Sequence, residues 1–311
     1  MRSATLIDAI GNTPLVELPT YSPKRGVRIF AKLEGDNPTG SVKDRIARAM
    51  VQAALDDGQL TKDRILLEPT SGNTGISLAM IAARLGYRFT AVMPDNVSPE
   101  RTELLKAFGA KIIYSPGAEG SNGSIPMAQE LAAKDPSYLM LYQYGNAANP
   151  GAHYETTGPE IIRDLPEITH FVAGLGTGGT LMGTGKRLKE FNPAIEVIAA
   201  APAPDDRIQG LRSLEEGFVP PILDLTRLDG RIQIWAEESF KLTADLLRKE
   251  GIFAGVSSGA VLAAALRVSE RVEEGNIVCL FADGGWKYLS SGLWTRDYDD
   301  LGPSVEGKVW W

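Results

Sequence analysis

Lys43 stands in the run Asn37-Pro38-Thr39-Gly40-Ser41-Val42-Lys43-Asp44-Arg45, where one amine is framed by structure-breaking residues on one side and a helix start on the other. Pro38 and Gly40 interrupt the chain, and Asp44 and Arg45 followed by Ile46, Ala47, Ala49 and Met50 open an amphipathic pattern, so Lys43 is expected at a turn-to-helix junction. The electropositive N-terminus of a helix disfavours an ammonium and leaves a free amine easier to reach. That suits covalent chemistry at Lys43; the alternative is a lysine on a solvated helix face between Asp44 and Arg45.

Three further turns are rich in hydroxyls and glycine. Glu68-Pro69-Thr70-Ser71-Gly72-Asn73-Thr74-Gly75 follows the strand-like residues 64–67 and precedes the helical residues 76–83. Such a junction aims N–H groups and hydroxyls beyond the strand's carboxyl end, where they suit a carboxylate or phosphate. A simple N-cap needs only one of Thr70, Ser71, Asn73 and Thr74, so the cluster favours a ligand. Residues 174–185, Gly-Leu-Gly-Thr-Gly-Gly-Thr-Leu-Met-Gly-Thr-Gly, come after the apolar residues 169–173 and can form an anion nest. Gly174, Gly176 and Gly179 match a loose dinucleotide fingerprint, but no clean acidic strand end follows about twenty residues on, and no Gly-Lys-Ser/Thr ending marks a nucleotide P-loop. A small cofactor's phosphate is the better match. In Gly255-Val256-Ser257-Ser258-Gly259-Ala260, a nucleophile elbow would need a histidine partner, and only His153 and His170 exist, neither with the Asp or Glu order of such enzymes. Ser257 reads instead as a hydrogen-bonding group facing a ligand, or as an N-cap.

In this order and spacing the four segments resemble the pyridoxal phosphate enzymes of the cysteine synthase family, the β-replacing branch of the tryptophan synthase β fold, nearest its cysteine synthase B and O-phosphoserine sulfhydrylase members. The likeness runs from about Leu6 to Gly292 and includes residues 10–16, 142–146, 153–160 and 283–290. It implies a fold of two three-layer α/β domains with mostly parallel sheets, fold type II for this cofactor. It also implies a homodimer in which Lys43 forms the internal aldimine with pyridoxal 5'-phosphate. By the same resemblance Asn73 bonds the ring oxygen, Gly176, Thr177, Gly178, Gly179 and Thr180 hold the phosphate, and Ser257 faces the pyridine nitrogen. Thr70, Ser71, Gly72, Asn73, Thr74 and Gln143 would hold the substrate carboxylate. An aspartate at the ring nitrogen would keep it protonated and encourage transamination; a serine does not enforce that charge, which favours loss of a β-leaving group through an aminoacrylate. Lys43, displaced by the substrate amine, is then free to move the α-proton.

Strand-like runs at 28–33, 65–67, 89–93, 111–114, 171–173, 196–200 and 277–281 alternate with helical ones, which predicts parallel sheets wrapped by helices, with the site motifs just after strands. Punctuation at residues 145–151 suggests units 1–145 and 146–311, the first thirty-five residues or so packing on the second, with the cofactor in the cleft. A chain of 311 residues that is 43% hydrophobic fits two α/β units. Its net charge of −7 argues against nucleic acid and anionic membranes, and no segment approaches eighteen apolar residues. The N-terminus has no signal-type apolar region, so the cytoplasm is expected. The one cysteine, Cys279, lies in an apolar strand and reads as an inert core residue, so the sulfur must come from a substrate; no metal is expected.

Arg212 matches a position where the branch using O-phosphoserine carries an arginine. A guanidinium suits a phosphate, whereas an acetyl ester needs no cation. O-acetylserine users also carry arginine there, and a surface ion pair to Glu215 or Glu216 is the plain alternative. Ala201-Pro202 departs from the Glu-Pro common in relatives. Sulfide, thiosulfate or a thiocarboxylated carrier protein each fits as sulfur donor. Trp310-Trp311 ends the sequence with two aromatics that would serve as a lid or an interface anchor, against the disordered tail usual at a terminus. Two other functions share these loops: serine or threonine dehydratase-type β-elimination, and a non-catalytic phosphate-ligand binding module.

Overall fold

All seven apolar runs form strands, and three strands join them in a computed structural model that describes residues 3–70, 72–296, 298 and 301. The chain passes through β1 (Leu15–Glu17) and β2 (Val27–Leu33), then α1 (Lys43–Asp56), β3 (Ile65–Pro69), α2 (Asn73–Leu85), β4 (Arg88–Pro94), α3 (Pro99–Ala107), β5 (Lys111–Ser115), α4 (Gly120–Lys134) and β6 (Tyr138–Met140). It continues with α5 (Ala148–Ala152), a π-helical turn His153–Thr157, α6 (Gly158–Asp164), β7 (His170–Gly174), α7 (Gly179–Phe191) and β8 (Glu196–Pro202). The last elements are β9 (Gly230–Ile234), α8 (Ala236–Glu250), α9 (Ser257–Arg271) and β10 (Gly275–Phe281).

The strands make two sheets, ordered β5-β4-β3-β6 and β1-β2-β10-β7-β8-β9. Every pairing is parallel except β1 with β2. Parallel strands need helical crossovers, and helices on both faces bury both sets of side chains. In the six-stranded sheet Ile29, Ala31, Ile277 and Cys279 pack toward α8 and α9, while Phe30, Phe171, Val197 and Val278 pack toward α6 and α7. In the four-stranded sheet Leu66 and Ala91 meet α1 and α2, and Leu67 and Val92 meet α4 through Ala128. Cys279 is fully buried and burial pushes its thiol far up, as an inert core residue requires. Among the described residues no helix is long and apolar enough to cross a membrane.

One buried ionic cluster links β2 and α1 to α6. Arg45 on α1 pairs with Glu34 and with Glu160 on α6, both at 2.7 Å, and Lys32 on β2 reaches Glu160 at 2.8 Å. Burial alone would raise both carboxyls; the Arg45 guanidinium overrides it, holding Glu34 below its ordinary range and Glu160 at about 2. Asp44 is buried too, accepting from the Thr39 amide and hydroxyl. The residues flanking Lys43 therefore form no solvated helix face.

Candidate active site

Lys43 is the first residue of α1, and its amide donates to Ser41 Oγ at 3.0 Å. The side chain enters a cavity of about 100 Å³ between the two sheets. Burial lowers its pKa, opposed by the charges of Asp283 and Glu34, so the free amine is easier to reach than on an exposed lysine. Thr70, Gly72, Asn73, Thr74, Gln143, Gly176, Thr177, Arg212 and Ser257 line the same cavity. Ser71 lies outside the described residues, as do Trp310 and Trp311.

Thr70 follows β3, and the hydroxyl of Thr74, in the first turn of α2, donates to Gln143 Oε1 at 2.7 Å. Gln143 is placed by Glu68, whose carboxyl accepts the Tyr142 amide at 2.7 Å and the Gln143 amide at 2.9 Å. Tyr142 sits at φ 57°, a left-handed conformation uncommon for a tyrosine, which those two bonds help to hold. Burial pushes the Glu68 carboxyl up to about 8 despite the amides, which favour its charged form.

The glycine-rich turn lies between β7 and α7, and Gly178, Gly179 and Thr180 carry it into the helix just beyond the cavity lining. Among the described residues the amides of Gly176, Thr177 and Gly178 have no acceptor within the protein. Orphan donors at the N-terminus of a thirteen-residue helix form a cradle for an anion, and a phosphate group fits that donor set. Gly178 has φ 90°, and a side chain there would press on Leu223 at 3.1 Å, so only glycine keeps the cradle open. Asn149 Nδ2 donates to Gln143 O and to Thr177 Oγ1, tying the two turns together. His153, kept neutral by burial with a pKa of about 3, spans Thr157 and Thr180.

Ser257 opens α9, and its hydroxyl has no hydrogen-bond partner among the described residues. Gly259 is a packing residue, because a Cβ there would meet Ser239 O at 1.9 Å; the Gly-x-Ser-x-Gly pattern reflects the close approach of α8 and α9. Arg212 is 5% exposed, with Nη1 donating to Asn122 Oδ1 on α4 at 3.2 Å and the guanidinium lying 5.3 Å and 4.9 Å from the Tyr144 and Phe218 ring centres. The surface ion pair is replaced by this buried setting, and the Glu215 carboxylate instead accepts from Gln233. Arg101, Tyr144, Gly210, Leu211, Ala282, Asp283 and Tyr288 complete the wall. Asp283, after β10, accepts from Asn73 Nδ2 at 2.8 Å and from the Tyr288 hydroxyl at 2.6 Å. Its place in the run Asp283-Gly284-Gly285 signals a turn, and nothing local shows that the turn faces Lys43.

Two mostly parallel sheets enclosing a lysine of lowered pKa, an anion cradle on a helix N-terminus and an unpartnered serine define an enzyme built around a phosphorylated aldehyde cofactor. Residues 6–283 match the family described as "Pyridoxal-phosphate dependent enzyme", and the chain belongs to that family. Its cofactor is pyridoxal phosphate. The chain is 45% identical to the "Cysteine synthase" of Aquifex aeolicus (strain VF5), covering 94% of this chain and 92% of that protein. It is 39% identical to "Cysteine synthase B" of Escherichia coli (strain K12), covering 97% of this chain and all of that one. The structure of "Cysteine Synthase (OASS)" from Entamoeba histolytica superposes with a TM-score of 0.90 at 34% identity, covering 97% of this chain and 95% of that one.

Proposed function

We propose that this chain makes L-cysteine by β-replacement on an O-activated L-serine, with O-phosphoserine the favoured donor and a sulfur nucleophile, sulfide in the simplest case. When bound, the cofactor supplies an electron sink for the substrate's α-carbon. Lys43 is its covalent anchor and, once released by the substrate amine, takes and returns the α-proton. The Gly176–Thr180 amides and hydroxyls hold the cofactor phosphate, Asn73 meets the ring oxygen and Ser257 meets the ring nitrogen. The Thr70–Thr74 turn and Gln143 receive the substrate carboxylate. The working form is a cytoplasmic homodimer whose chains divide into units 1–145 and 146–311, with the first thirty-five residues or so packed on the second, a reading supported by β1 and β2 joining the six-stranded sheet.

The observation that carries the donor preference is Arg212. A buried guanidinium on the cavity wall, with the neutral Asn122 amide as its side-chain partner, has donors to offer an anion in the same space as Lys43 and Gln143. A phosphate leaving group accepts paired donors and carries the opposite charge; an acetyl ester does neither. The test is turnover of O-phosphoserine against O-acetylserine with sulfide, thiosulfate and a thiocarboxylated carrier protein in turn. A higher kcat/KM for O-phosphoserine is expected with any donor that works, and a preference for O-acetylserine throughout would refute the assignment.

A further inference from the structure

Lys287 is 0% exposed and, among the described residues, forms no ion pair. Its Nζ donates to Asn73 Oδ1 at 2.6 Å and lies 3.4 Å from Gly40 O, in the turn that precedes Lys43. The Trp286 ring centre is 5.0 Å away. A buried ammonium whose nearest acceptors are neutral oxygens is costly to hold, and burial lowers its pKa to about 8 although Asp283 and Asp44 act to raise it. Among the described residues its one side-chain hydrogen-bond partner is Asn73, at the start of α2, and the phosphate cradle does not touch Lys287.

The chemistry lies in what the contact does to Asn73. An ammonium has three donors and no acceptor, so the Asn73 atom it meets is the amide oxygen. The amide nitrogen then faces Asp283 Oδ2 at 2.8 Å, which engages one of its two hydrogens and leaves the other for the cavity that Asn73 lines. With Lys287 on the oxygen and Asp283 on the nitrogen, the amide is gripped at both ends; with either grip alone it is free to pivot about the other. We propose that Lys287 is a positioning residue that locks the Asn73 amide so that it presents only an N–H to the cofactor. This rests on the assignment of Asn73 to the ring oxygen given above.

The test compares Lys287→Met, Lys287→Arg and Asn73→Ala with the parent protein, each loaded with pyridoxal phosphate. The readouts are the visible absorption band of the bound cofactor and its dissociation constant. Lys287→Met is expected to move the band in the same direction as Asn73→Ala and to weaken cofactor binding about tenfold, the scale of one hydrogen bond to a charged group. Lys287→Arg, which keeps a donor-only group, is expected to retain the parent band. A band moved by Asn73→Ala but not by Lys287→Met overturns the role of Lys287. A band unmoved by Asn73→Ala overturns the assignment of Asn73 and the proposal with it. If Lys287→Met does not fold, Lys287→Arg decides: the parent band supports the lock and a displaced band overturns it.

Discussion

Arg212→Ala separates two substrates that differ only in the leaving group. The guanidinium is buried, and its neighbours are a neutral amide and two aromatic faces, so an anionic oxygen placed against it would be largely shielded from water. Truncating one member of such a desolvated pair costs roughly 2 to 4 kcal/mol. At about 1.4 kcal/mol per decade, kcat/KM for O-phosphoserine should fall about thirty-fold to seven hundred-fold. Losing the Asn122 bond and the ring contacts also loosens the link between α4 and the segment after β8, but that loss is common to both donors. The ratio of the two kcat/KM values isolates the phosphate interaction. O-acetylserine should be nearly unaffected, and Arg212→Lys, which keeps the charge but loses the fork, should fall between the two. Equal losses with both donors, or none with either, would refute the assignment of Arg212 to the leaving group.

Three other outcomes follow from the buried groups. Lys43→Ala should abolish covalent cofactor attachment and turnover; borohydride reduction and peptide mass spectrometry should find the parent's label on Lys43, and a label on Lys287 would contradict this. Glu68 has a folded pKa of about 8 against an ordinary 4.5, so its contribution is fully present below 4.5 and is lost as pH rises through about 8. Urea midpoints from pH 5 to 9 should therefore decline less in Glu68→Gln than in the parent. Glu160 is shifted the other way, to about 2, so its contribution is present above 4.5 and is lost as pH falls toward 2. Glu160→Gln should be less stable at pH 5, because Lys32 and Arg45 lose the carboxylate they share, Glu34 alone remaining for Arg45, and should show a shallower further loss by pH 3.

What the sequence discloses is local, and what it conceals is long-range. The junction at Lys43 and the strand-turn-helix segments around Thr70 and Gly176 were legible because glycine, proline and hydroxyl residues carry their backbone meaning within a few positions. β9 escaped because Arg231 and Gln233 alternate outward on an edge strand, leaving little apolar signal. The helix α4 escaped because Gly120, Gly123 and Pro126 read as breakers. Arg45, Glu160, Asp283 and Lys287 look like surface charges in the sequence, and their partners lie up to 214 residues away. Gly178 was legible as part of an anion nest, but its φ of 90° and the press on Leu223 make Gly178→Asp a test of folding as much as of phosphate binding. Arg212 was legible as a candidate, and its burial between Tyr144 and Phe218 emerges only from the fold.

The most direct measurement follows product formation by the purified, cofactor-loaded protein given O-phosphoserine and sulfide. Equal molar amounts of L-cysteine and inorganic phosphate, with kcat/KM above that for O-acetylserine, are the expected result. Pyruvate and ammonia released at the same rate with or without sulfide would mean β-elimination, and would contradict the assignment of this cleft to cysteine synthesis.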